Sequence, residues 1–215
     1  SQTVFWNVYV STDEVYGETK KDLFTEQSPL KPNSPYAASK AAADMLINAY
    51  THTYGLPAVI VRPCNNFGPW QYPEKFIPVV IMHALENKKI PVYGKGKNIR
   101  EWLYVVDCAR AIHSVVRTGK TGTVYNIGSG QRIANIETVR RILAVMKKPA
   151  SLIDFVPDRP GHDFRYALNS RKIKRLNWKP RFSFDQGLRK TVAWYQKNYS
   201  WIAQALSSSH KTFKT

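Results

Sequence analysis

Residues 4–17, VFWNVYVSTDEVYG, decide how this chain is read. Their first seven positions are apolar on both sides rather than alternating, the pattern of a strand buried on both faces of a parallel sheet. Polar residues then crowd into STDEVYG, where the strand gives way. Downstream, Ser34 and Pro35 read as a helix start. A serine hydroxyl accepts from the first free N–H groups, and proline's fixed φ suits the first helical position. Ala38, Ala41, Ala42, Met45, Leu46 and Ala49 follow at helical spacing, and Gly55 supplies the stop. Residues 58–61, AVIV, form a second short strand of the buried type. Strand, loop, helix, strand is a parallel α/β unit, so the expected fold class is α/β.

Beyond it, residues 62–78, RPCNNFGPWQYPEKFIP, read as an irregular and functional loop. A helix is expected over residues 75–87, with Pro78 tolerated near its first turn. Residues 90–93 and 101–105 read as strands on either side of the Gly94-Lys95-Gly96 turn. Asp107 reads as the cap of a helix stopped by Gly119. A strand over 124–127, an amphipathic helix over 136–146 and a helix opened by the capping pair Ser183 and Gln186 complete the pattern. Residues 207–215 read as a disordered tail.

The 215 residues are 43% hydrophobic, enough for one sizeable core or two small ones, which excludes general disorder. The formal charge of +17 raises nucleic acid, an anionic membrane or an anionic small substrate as partners. The charge is dispersed over many segments, without a basic helix or an aromatic RNA-binding signature, so nucleic acid is set aside. Two cysteines and the lack of a membrane-length apolar run lead to the expectation of a soluble protein of the cytoplasm, with no membrane partner and no metal site. The chain opens inside an apolar run, so it is expected to be a fragment.

Tyr36 and Lys40 lie four apart, which places both on one helix face. An ammonium near a phenol favours the phenolate and suits tyrosine to act as a base. The same spacing also describes an amphipathic helix with a surface lysine. Thr12, Asp13 and Glu14 gather at the carboxyl end of the first strand, where open parallel sheets bind ligands. Two carboxylates there offer an acid and a base, provided the strand has already broken so that both can face one site. Without such a break they form a solvated acidic turn. Lys75, Arg100, Arg159 and His162 make a third, basic group, taken together with Asn65, Asn66, Tyr93 and Asn135. Arginine forks from separate segments suit a diphosphate.

Taken in order, STDEVYG, SPYAASKAAAD, RPCNNFGPWQYPEKFIP, PVYGKGKNIREWLYVVD, YNIGSG and DRPGHDFRYALN resemble the extended short-chain dehydrogenase/reductases, and among them the nucleotide-sugar 4,6-dehydratases. The resemblance implies the carboxyl-terminal part of a Rossmann-like doubly wound parallel sheet plus a smaller α/β substrate domain. Residues 1–62 would belong to the NAD-binding domain and 63–206 mainly to the substrate domain, with segments rejoining the first. It further implies NAD as cofactor, a nucleotide-sugar substrate, and dehydration of dTDP-glucose to dTDP-4-keto-6-deoxy-glucose.

By this resemblance Tyr36 takes the 4-hydroxyl proton, Lys40 holds the nicotinamide ribose and Thr12 polarises the 4-oxygen. Glu14 removes the carbon-5 proton and Asp13 protonates the departing 6-hydroxyl. Asn65, Lys75, Phe76, Pro91, Tyr93, Arg100, Asn135, Arg159 and His162 line the substrate, with Asn66 nearer the cofactor. The helix over 41–54 would pair two copies into a homodimer. The family's glycine-rich pyrophosphate turn has no counterpart before Val4, so this stretch alone is expected to be inactive. Competing expectations are a sugar-nucleotide 4-epimerase or decarboxylase of the same family, and a non-catalytic nucleotide-sugar-binding module.

Overall fold

The computed structural model of the chain describes residues 7–158, 163–202, 204 and 205. Residues 4–6 of the opening apolar run, Arg159, His162 and the 207–215 tail lie outside them. The order of elements is β1 (Asn7–Val10), a 3-10 turn (Asp13–Tyr16), α1 (Pro35–Tyr54), β2 (Ala58–Pro63), β3 (Asn65–Phe67), α2 (Phe76–Leu85), β4 (Ile90–Tyr93) and β5 (Ile99–Tyr104). Then come α3 (Val105–Thr118), β6 (Val124–Ile127), β7 (Arg132–Ala134), α4 (Asn135–Met146), β8 (Ile153–Val156), α5 (Arg171–Lys174) and α6 (Phe184–Lys197). The chain divides into two compact units, one drawn from residues 1–66, 98–133 and 160–181, the other from 67–97, 134–159 and 182–215.

The first unit is α/β with a parallel sheet, as the opening pattern predicts. Its strand order is β1-β2-β6, with Val8 opposite Val59 and Val61 opposite Tyr125. α1 forms where its end signals stand. Ser34 Oγ accepts from Ala37 N, Pro35 opens the helix and Gly55 closes it in the left-handed region at φ 66°. Val59, Val61, Tyr16, Leu103, Val115 and Trp178 belong to its buried core. Burying side chains of this size contributes about 1.5–3 kcal/mol each. A second three-stranded sheet, order β3-β5-β7, is built mainly from this unit's residues.

The second unit packs α2, α4 and α6 together beside the parallel pair β4-β8. Ile77, Ile81, Ile142, Leu188 and Val192 fill its interior. The capping box over Ser183 and Gln186 is present at the start of α6. No helix among the described residues is long and apolar enough to cross a membrane.

Three expectations need correction. The described part of β1 is half-buried to exposed, because β1 ends the strand order of its sheet. Residues 90–93 and the strand after them do not pair across Gly94-Lys95-Gly96. β4 pairs with β8, and β5 lies between β3 and β7, a non-local choice that the turn chemistry does not specify. Asp107 does not cap α3, which begins at Val105. It is buried one turn in, where it accepts from Arg181 N at 2.9 Å and from Arg110 Nη1 at 2.8 Å. β7, β8 and the β3 segment inside the expected loop were not legible from periodicity, being three or four residues long.

Candidate active site

β1 gives way after Val10, and the chain turns into the short 3-10 turn. Thr12 caps it, its Oγ1 accepting from Glu14 N at 3.3 Å and donating to Asp13 Oδ1 at 3.4 Å. Because a turn rather than a regular strand carries Asp13 and Glu14, strand alternation does not separate them. Asp13 is 1% exposed, and its Oδ2 has no hydrogen-bond partner among the described residues. Burial is the main cause that raises its carboxyl well above the usual range. The Glu14 and Glu101 carboxylates add to the rise, and Arg100 and the Thr12 hydroxyl oppose it. A carboxyl that keeps its proton is equipped to act as an acid.

β5 brings two charged neighbours to this turn. Arg100 is buried, donating from Nη1 to Ile99 O at 2.9 Å and from Nη2 to Asp163 O at 3.0 Å, with its guanidinium 4.5 Å over the Tyr166 ring. The Tyr166 hydroxyl donates to Asp163 Oδ2. Burial, the Asp163 bond and the Glu14 charge all push that phenol far above its ordinary value. Glu101 is wholly buried and accepts from Gly130 N at 2.7 Å, Leu168 N at 3.1 Å and Arg132 Nε at 3.1 Å. Glu101, Asp163 and Tyr166 escaped the reading of the sequence. The available signal was a lone acid inside the apolar run REWLYV, which must find partners when buried.

α1 packs on the turn and carries Tyr36 and Lys40. The Tyr36 side chain is half exposed. Lys40 Nζ donates to Val10 O at 2.8 Å, at the carboxyl end of β1, and lies 4.7 Å from the Tyr9 ring centroid. The ammonium is thus bonded to the strand end rather than to the Tyr36 hydroxyl. Past the end of β2, Asn66 Nδ2 donates to Cys64 O at 3.3 Å, and Asn65 Oδ1 is buried without a partner among the described residues. Ser11 Oγ, beside Thr12, is likewise buried and has no partner among them. Orphaned polar atoms at strand carboxyl ends, together with Tyr36 and Lys40, fit the nicotinamide-ribose end of a dinucleotide.

The second unit carries the other sequence-predicted substrate residues. Lys75 stands at the N-cap of α2, exposed, with Nζ 3.2 Å from Glu74 Oε1, and Phe76 is the first helical residue. Pro91 and the exposed Tyr93 belong to β4. Asn135 opens α4 with a buried Oδ1 that has no partner among the described residues, and the following Ile136 N donates to Gly96 O at 3.0 Å. β4, its glycine turn and the start of α4 are thereby held together. Arg159 and His162 fall outside the described residues.

A buried polar network was also missed. Arg62 Nε pairs with Asp44 Oδ2 at 2.8 Å, and Arg62 Nη1 donates to the Tyr16 hydroxyl at 2.7 Å. That hydroxyl donates in turn to Asn126 Oδ1 at 2.7 Å. A cation ending the otherwise apolar AVIVRP was its only trace in the sequence.

The chain is similar to known proteins along most of its length. The profile of the GDP-mannose 4,6 dehydratase family matches residues 4–191. A dTDP-glucose 4,6-dehydratase of Neisseria meningitidis serogroup B is 49% identical over 94% of this chain and 61% of its own length. The crystal structure of a Streptomyces venezuelae dTDP-glucose 4,6-dehydratase with NAD and TYD bound superposes with a TM-score of 0.91. It shares 45% identity over 93% of this chain and 62% of that one. A Thermus thermophilus UDP-glucose 4-epimerase in complex with NAD reaches a TM-score of 0.85 at 28% identity, over 90% of this chain and 64% of that one. The chain therefore spans less than two thirds of the length of these relatives. On the match over residues 4–191 and the identity sustained along nearly all of its length, the chain belongs to the GDP-mannose 4,6 dehydratase family.

Proposed function

We propose that this chain carries the proton-transfer and substrate-binding groups of an NAD-dependent 4,6-dehydratase that converts dTDP-glucose to dTDP-4-keto-6-deoxy-glucose. The observation that carries the reading is Asp13, a buried carboxyl with one oxygen unpartnered among the described residues, set beside a second carboxylate on one turn. When bound, NAD supplies the hydride acceptor at carbon 4 and later the donor at carbon 6. Tyr36 takes the 4-hydroxyl proton and Thr12 donates toward the 4-oxygen. Lys40 holds the nicotinamide ribose, with Asn66 beside the cofactor. The carbon-4 ketone acidifies the hydrogen on carbon 5, which Glu14 removes as a proton. Asp13 protonates the 6-hydroxyl, which leaves as water. Asn65, Lys75, Phe76, Pro91, Tyr93, Arg100, Asn135, Arg159 and His162 hold the nucleotide sugar. The working form is a cytoplasmic homodimer.

A 4-epimerase has no elimination to perform, so it gains nothing from a buried acid next to a second carboxylate. The test is the full gene product with NAD and dTDP-glucose in deuterated water, followed by mass spectrometry of the sugar nucleotide. The expected product has lost water and gained deuterium at carbon 5. Glu14→Gln should still form NADH yet lose carbon-5 exchange by roughly 10²–10⁴. A product of unchanged mass and inverted carbon 4 establishes the epimerase instead, and binding without turnover establishes a binding module.

A further inference from the structure

Arg62 is 3% exposed at the end of β2, and its partner Asp44 is wholly buried. Guanidinium only donates, so the Tyr16 oxygen accepts from Arg62, and the phenol proton goes to Asn126 Oδ1. Asn126 Nδ2 then donates to Phe24 O at 3.0 Å, and Asn126 N to Glu26 Oε1 at 3.0 Å. Every bond in the chain has a set direction. Phe24 stacks on the Tyr16 ring at 5.0 Å and 14°, and the Arg62 guanidinium lies 4.9 Å from the ring centroid. Burial pushes the Tyr16 phenol up to about 12, so it stays a donor throughout the neutral range.

Stability alone is a weak reason for such a network, because apolar replacement of a buried ion pair is often neutral or stabilising. Its location is informative. Tyr16 is the last residue of the turn that carries Asp13 and Glu14. Asp44 lies one helical turn beyond Lys40 on the helix that bears Tyr36. Arg62 stands three residues before Asn65. One buried cation at the end of β2 thus ties together the two segments that bear the candidate proton-transfer groups, the turn and α1.

We propose that Arg62, acting through Tyr16 and Asp44, is a positioning residue for the elimination half of the reaction, holding the Asp13–Glu14 turn in register with Tyr36 and Lys40. The inference rests on the dehydratase reading above. Oxidation at carbon 4 draws its base from α1 itself, whereas elimination depends on where the turn sets two carboxyls. A misplacement of about 1 Å costs on the order of 10²-fold in rate. Loosening the network should therefore slow the second half selectively.

Two variants of the full gene product test this. Tyr16→Phe removes one hydroxyl and keeps the ring stack. Arg62→Lys keeps the charge against Asp44 and loses the fork to Tyr16. With dTDP-glucose, KM and the rate of NADH formation should stay within about twofold of the parent, while carbon-5 deuterium exchange and water loss fall roughly 10–100-fold. Circular-dichroism melting establishes that each variant is folded, and Tyr16→Phe alone decides if Arg62→Lys is not. A folded Tyr16→Phe that eliminates water within twofold of the parent overturns the proposal. So does a fall of oxidation and elimination by the same factor, which marks a general structural role. A parent that forms no 4-keto-6-deoxy product overturns the dehydratase reading itself, an outcome seen before any variant is compared.

Discussion

Asp13 keeps a carboxyl inside the protein with one oxygen unpartnered, which costs folding free energy whenever the group must ionise. Its folded affinity for a proton is raised above the ordinary value of 3.8, so the folded state holds the proton after the unfolded chain has released it. Stability from this residue is therefore complete below that ordinary value and is lost as pH rises from there through the raised folded value. Asp13→Asn has no such slope. It should raise the melting temperature near neutral pH by about 2–4 °C, the shift that about 1 kcal/mol gives in a chain of this size. The gain should fade as pH falls toward 4, and melting curves at several pH values read both effects. The same substitution should abolish water loss, the usual opposition between stability and activity at a site. The acidic pair was legible from STDEVYG, because the residue types and their place after a strand were enough. The raised proton affinity of Asp13 was not, since it depends first on burial and also on Glu101, which lies far along the chain.

At the scale of elements, local signals placed α1 and α6 through their caps, and α2 and α4 through their periodicity. They failed where the partner of an element lies far away in sequence, as with β4 and β8. Two glycines show the difference in energetic terms. Gly55 ends α1 at φ 66° with nothing within 4 Å of where a Cβ would stand. Gly96 has φ 64°, and its Cβ would meet Val92 Cγ1 at 2.7 Å and Ile136 Cβ at 2.8 Å. Gly55→Ala should therefore cost only the left-handed backbone term, about 1–2 kcal/mol. Gly96→Ala adds overpacking of about 1–3 kcal/mol. Urea denaturation should rank the two in that order, with the loss at Gly96 concentrated in the second unit. Equal losses would show that the β4–α4 contact yields without strain.

At the scale of the whole molecule, α1 presents Ala38, Ala42, Met45, Leu46, Ala49 and Tyr50 to solvent, and Tyr54 continues the row. A helix face of this kind is suited to a partner surface. The homodimer proposed above would bury it, so Leu46→Glu in the full gene product should shift the mass measured by light scattering from two copies toward one. Cofactor and substrate sites should be affected only indirectly, because Leu46 lies almost two turns past Lys40. A Leu46→Glu protein that keeps its dimer mass at micromolar concentration places the interface elsewhere.

The α/β class, the positions of the main helices and the residue types of the acidic and Tyr-Lys groups followed from the sequence by itself. These rest on short-range physics: two- and 3.6-residue periodicities, helix caps and the break of a strand into a turn. The tertiary structure alone decided that β1 is half exposed and that β4 pairs with β8. It also joined Asp44, Arg62, Tyr16 and Asn126 into one network, from four segments spread over 110 residues between Tyr16 and Asn126. Burial and pairing are properties of what surrounds a residue. Here each compact unit is assembled from three separate stretches of chain, so those surroundings are set by contacts that no local pattern encodes.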